Sequence, residues 1–272
     1  NFTFLTGASH PEEYVERAAL MGLEAIAIAD VNSVAGIVRA HAHAKEIARQ
    51  VAERDAAEAK DGPIGPPAPP GHVPRGVAIR NVPRLIPAAH LVFAEGVEMT
   101  ALVATRAGWA RLCRLITTGR LRAEKGTCDI ALADLPDDAS GLDFILHPPA
   151  GPPDAAWLGH ARALAERLAG HLHLALAPRY DGEDRGRFDA HARLARSLGL
   201  PTLATARPIL HHGRRRKLAD VLTAIRLGVR VDTLGRAALA NGEQRLRSEA
   251  EMRRIMGRHA DAVDRAAALA AR

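Results

Sequence analysis

The stretch GLDFILHPPAGPPDAAWLGHARALAERLAGHLHLALAP, residues 141–178, decides the fold. Its first seven residues are a short apolar run ending on His147, and its last eight are another. Between them, residues 153–170 repeat apolar side chains at helical spacing and stop at a glycine. The two flanking runs are apolar throughout rather than alternating. Such strands are covered on both faces, as in a parallel sheet or barrel with helical crossovers.

The same rhythm extends in both directions. Residues 9–22 read as a helix with Ser9 as N-cap, Pro11 in the first helical position and Gly22 as the stop. LEAIAIAD (23–30) is a strand ending on Asp30, residues 32–55 a helix, MTALVAT (99–105) a strand and residues 107–119 a helix. Downstream, residues 188–199 form a helix and PTLATA (201–206) a closing strand. Several βα units without a Gly-rich phosphate loop favour a barrel over a dinucleotide-binding sheet.

Residues 61–83 hold seven of the chain's 17 prolines and read as a long surface loop. Beyond residue 212 come a helix ending at Gly228 and a second, over 248–272, capped by Ser248 with Glu251 in capping-box register. The expected organisation is a barrel over 1–212 and a helical extension over 213–272.

Hydrophobic residues make up 47% of the 272 positions but aromatics only 3%, so Ala, Leu and Val must fill the core. The formal charge of +6 favours polyanion contact, although arginines scattered over helices equally make a solvated basic face. Cys113 and Cys128 form no metal or disulfide pattern and fit a reducing compartment. No apolar run is long enough to span a bilayer. The apolar NFTFL at residue 1 suggests a piece of something longer.

Three stretches go further. Residues 1–41, 103–126 (VATRAGWARLCRLITTGRLRAEKG) and 215–232 with 241–255 resemble, in order, the polymerase-and-histidinol-phosphatase (PHP) domain of bacterial C-family DNA polymerases. The Asn-Phe-x-Phe-Leu opening, GASHPEE and RAEKG are most similar to the error-prone, alpha-subunit-like translesion branch. The resemblance implies a distorted (β/α)7 PHP-type barrel. In active members, up to nine His, Asp and Glu ligands at the strand ends hold three metal ions, which activate water for phosphoester attack.

Carried over residue by residue, that ligand set is degraded. Ligand positions fall on Asn1, Thr6, Asp30, Val31, His90, Glu98, His147, Arg207 and Ile209. The acid at 30 is kept, an acid and a histidine have traded places at His90 and Glu98, and His147 lies at or within one residue of a ligand. Val31, Arg207 and Ile209 offer a metal nothing. A guanidinium a few ångströms from a divalent ion costs several kcal/mol even at an effective dielectric of about 20.

The resemblance therefore implies a domain without metal, cofactor or catalytic residues of its own. It would serve as a scaffold for a nucleotidyltransferase whose Mg-dependent aspartates lie elsewhere. It further implies translesion synthesis, DNA repair and damage-induced mutagenesis in the cytoplasm. The implied partners are the rest of the polymerase, DNA, a sliding clamp and mutagenesis-cassette proteins, with no membrane.

The rival reading is a metal-dependent phosphoesterase or 3′–5′ exonuclease with a reduced site of His90, Glu98, Asp30 and His147. His211 or His212 would help, unless those two instead face an anion. A blander third reading makes the Pro-rich loop a protein-binding segment. Two basic clusters, Arg120, Arg122 and Lys125, and Arg214, Arg215, Arg216 and Lys217, are candidate sequence-independent nucleic-acid contacts or plain solvated surface.

Overall fold

A computed structural model describes residues 3, 5–61, 79 and 81–272. Among these residues are eight helices and six strands, alternating over much of the chain. They are α1 (Pro11–Leu20), β1 (Ala25–Val31), α2 (Ala35–Asp61), β2 (Arg84–Val92), β3 (Glu98–Val103), α3 (Arg106–Arg122) and β4 (Leu142–His147). There follow α4 (Ala155–Arg167), β5 (Leu172–Leu176), α5 (Asp184–Ser197), β6 (Thr202–Ala204), α6 (Arg216–Leu227), α7 (Glu249–Met256) and α8 (Asp261–Ala270). The strands form one curled α/β sheet in the order β1-β2-β3-β4-β5-β6, a half-barrel. Nearly all of the Pro-rich stretch lies outside the described residues. Among those residues no helix is long and apolar enough to cross a membrane.

The sheet is not wholly parallel, because RLIPAAHLV is a strand that the apolar-run reading passes over. β2 pairs parallel with β1 but turns back at residues 93–97 into antiparallel β3, which is also antiparallel to β4. Phe93 N–H bonds Val97 carbonyl at 2.9 Å across that turn. The consequence is geometric. The start of β3, with Glu98, now lies at the same sheet edge as the ends of β2 and β4.

Helix ends follow local chemistry, with two departures. Thr105 and Asp154 cap α3 and α4 by accepting the N–H of Gly108 (3.1 Å) and Trp157 (2.8 Å), each cap worth about 1 kcal/mol. Ser248 caps α7 in a capping box with Glu251, as its spacing predicts. The helix expected over 248–272 breaks, however, at Gly257 (φ +54°), which no L side chain would favour, and resumes as α8. Residue 10, not Ser9, is the N-cap of α1; Ser9 Oγ instead meets His211 Nδ1 at 2.9 Å.

The main core lies between the sheet and α3 and α4, around Leu91, Met99, Leu112, Phe144 and Leu174. A second cluster joins α1 and α2 to β1 through Val15, Ile28 and Ile37. On the other face, α8 lays Ala266 and Leu269 against Ile145, Ala175 and Leu203. The last helix thus packs back on the sheet.

Candidate functional site

Strand register assembles the site. His90 stands opposite Thr100, and Glu98 opposite His147, so the four side chains share one face at one edge of the sheet. Arg207 reaches them from the segment after β6. It holds φ +41°, a left-handed backbone uncommon for a non-glycine residue, and its N–H bonds Thr205 Oγ1 at 3.2 Å.

The side chains form a directed chain. Arg207 Nη2 donates to Glu98 Oε2 at 2.5 Å, and His90 Nε2 lies 3.1 Å from the same oxygen. The two donors are 3.1 Å apart, as two groups sharing one acceptor must nearly be. With its Nε2 proton on Glu98, His90 accepts at Nδ1 from the Thr100 hydroxyl (3.3 Å), which accepts in turn from His147 Nε2 (2.8 Å). That order leaves His147 Nδ1 as a buried lone pair with no partner among the described residues, less costly than a stranded N–H. The two imidazoles meet edge-on, 5.1 Å between centroids.

The charges follow. His90's hydrogen bond, opposed by partial burial and reinforced by Arg207, draws the Glu98 carboxyl down to about 2. Complete burial, with Arg207's positive charge second, pushes His147 well below the usual histidine range. At neutral pH the site is thus a carboxylate neutralised by a guanidinium, backed by an uncharged His147.

A group whose folded pKa is depressed stabilises the fold above its unfolded value and loses that contribution as pH falls. For His147 the loss begins near its ordinary 6.5. It can reach about 1.4 kcal/mol for each pH unit below that. Urea midpoints should therefore drop on acidification towards pH ~5.5, and less so in His147→Gln, which keeps a donor towards Thr100 but cannot titrate. Equal pH slopes in the two proteins would remove His147 from this account.

The other positions at which the resemblance expects ligands lie apart from this network. Asp30 shares the face of β1 with Ile26 and Ile28, packed towards α1 and α2, and accepts from Thr3 Oγ1 at 3.1 Å. Val31 gives its N–H to the same hydroxyl at 3.0 Å. Thr6 accepts from Arg226 Nη1 at 3.1 Å. Ile209 packs with Ala8, Leu210 and Ala219. Asn1 lies outside the described residues. Among those that are described, no three His, Cys, Asp or Glu side chains are grouped to hold a metal ion. The residues present do not fit the trinuclear cluster that the resemblance implies: Arg207 already occupies Glu98, and Ile209, where the resemblance expects a ligand, has no side-chain donor atom.

Two residues that sequence reading misses complete the edge. Thr100 links the histidines; its signal was the spacing of two from Glu98, which in a strand means the same face. Asn32 (φ +45°) ties β1 to β2, its N–H on His90 carbonyl at 2.8 Å and its Oδ1 accepting Val92 N–H at 2.9 Å. His211 meets Ser9, and His212 accepts Arg214 N–H at 3.1 Å, so neither joins the network.

The basic residues divide. Arg120 donates to Asn32 carbonyl at 3.0 Å, Arg122 pairs with Asp134 at 2.8 Å, Arg215 pairs with Glu13, and Arg216 lies 3.6 Å from Asp220. Lys125, Arg214 and Lys217 are exposed.

No protein-family model matches the chain. An error-prone DNA polymerase of Ruegeria pomeroyi is 43% identical over 282 residues, covering 100% of this chain and 25% of the relative. Those of Rhodopseudomonas palustris and Sinorhizobium medicae are 36% and 38% identical, each over 97% of this chain and 21% of the relative. A solved structure from Bifidobacterium adolescentis, named as a metal-dependent phosphoesterase, covers 74% of this chain and 82% of its own, with 14% identity and a TM-score of 0.40. Similarity thus runs along the whole chain but spans no more than about a quarter of each polymerase it matches. Over its whole length the chain is similar to one segment of those longer error-prone DNA polymerases.

Proposed function

We propose that this segment is a catalytically silent scaffold within an error-prone polymerase that copies damaged DNA in translesion synthesis and repair. The Mg-dependent nucleotidyl transfer then belongs to the rest of the polymerase. The segment contributes a folded body beside the DNA path, in the cytoplasm with the sliding clamp and mutagenesis-cassette proteins. Lys125, Arg214 and Lys217 are exposed cations suited to sequence-blind contact with the DNA backbone.

One observation carries the silence: Arg207 donates to Glu98 where a metal would need that carboxylate. A fixed cation cannot be displaced by a divalent ion without leaving its own charge beside it. The test is metal analysis of protein purified without chelator, together with 3′-exonuclease and phosphoester assays. The expected outcome is no stoichiometric Zn, Mn or Fe and no hydrolysis, unchanged in an Arg207→Asp, Ile209→His double variant, because Val31 still offers no donor and Asp30 still lies on the face of β1 with Ile26 and Ile28. Metal-dependent exonuclease activity that disappears in His90→Ala, Glu98→Ala would overturn the proposal in favour of the phosphoesterase reading.

A further inference from the structure

We propose that the outer face of α6 and the turn behind it, Leu218 to Val231, is the surface on which the remainder of the polymerase chain docks. The idea rests on the reading above that this segment works inside a longer polymerase.

α6 is apolar on two sides. Its inner side gives Ala219 and Leu222 to a small cluster with Ala8, Leu210 and Leu239. Its outer side carries Leu218, Val221 and Ile225, spaced three and four residues apart as one helical stripe. A surface helix should be polar there, and one apolar all round should be buried. After the left-handed cap at Gly228 the pattern continues in Val229 and Val231. With Leu227 these side chains are 39% to 60% exposed. Of the eight large apolar side chains exposed among the described residues, six lie between 218 and 231. So concentrated a patch marks an interface.

Two observations select the occupant. The polymerases that match this chain extend three to four times its length beyond the matched part, so a large covalently attached surface is always present. The rim is basic: Lys217, Arg226 and Arg236 are exposed, while the acids Asp220 and Asp232 face Arg216 and Arg230. The complementary surface on the remainder of the polymerase is therefore apolar at its centre and acidic at its edge.

The experiment uses the full polymerase with single substitutions Ile225→Cys or Val229→Cys, and Val38→Cys or Leu121→Cys as exposed controls away from the patch. Peptide-resolved maleimide labelling rates are read by mass spectrometry. We expect labelling at 225 and 229 to be at least about tenfold slower than at 38 and 121, independent of protein concentration, and equal to the controls in urea. A smaller difference overturns the proposal. So does protection that vanishes on dilution, which would assign the face to a second copy. Failure here is separable from failure of the scaffold reading, because labelling is blind to metal and exonuclease activity.

Discussion

Arg207→Glu is expected to lower stability at neutral pH by about 2 kcal/mol, and to reverse the local response to acid. Two carboxylates about 4 Å apart repel by about 4 kcal/mol at an effective dielectric of 20. The side chains of Arg207 and Glu98 are 39% and 41% exposed, so water screens roughly half of that. The signs differ between the proteins. In the wild type Glu98 is depressed to about 2, so its contribution is present above 4.5 and fades between 4.5 and about 2. In the variant the facing acids raise one carboxyl above 4.5. The penalty is then full at neutral pH and relieved as pH falls through that raised value. Arg207→Met, which removes the cation without adding an anion, should cost about 1 kcal/mol. Urea midpoints at pH ~7.5 and ~5 for the three proteins test this. If the glutamate variant does not recover relative to the wild type in acid, Arg207 is not the charge that neutralises Glu98.

Gly108→Ala is expected to cost about 3 kcal/mol or more, although alanine for glycine in a helix ordinarily gains up to about 1 kcal/mol. A Cβ on Gly108 would stand 1.9 Å from the carbonyl oxygen of Gly141. That carbonyl cannot retreat freely, because it accepts the N–H of Ala104 at 3.0 Å. Gly141 in turn holds φ +79°, and a Cβ there would meet the Thr105 cap at 2.0 Å. The first turn of α3 and the turn into β4 are packed backbone to backbone. Thermal unfolding of the variant reads the loss, and a neutral or raised melting temperature would show that the contact opens at little cost.

The sequence by itself determined the α/β class and most helix boundaries. Each is a local property: apolar runs set strands, caps such as Thr105 and Asp154 close hydrogen bonds within one turn, and Gly228 supplies a left-handed stop. Whether His90 and Glu98, eight residues apart, would meet was not local. It depended on β3 running antiparallel, which the tightness of the turn at 93–97 imposes and apolar periodicity does not encode. Only the tertiary structure brought Arg207 to Glu98 across 109 residues and set Asp30 on the face of β1 with Ile26 and Ile28. Strand alternation and register fix which face a side chain joins, and both are decided by pairing with distant strands rather than by neighbours in the chain.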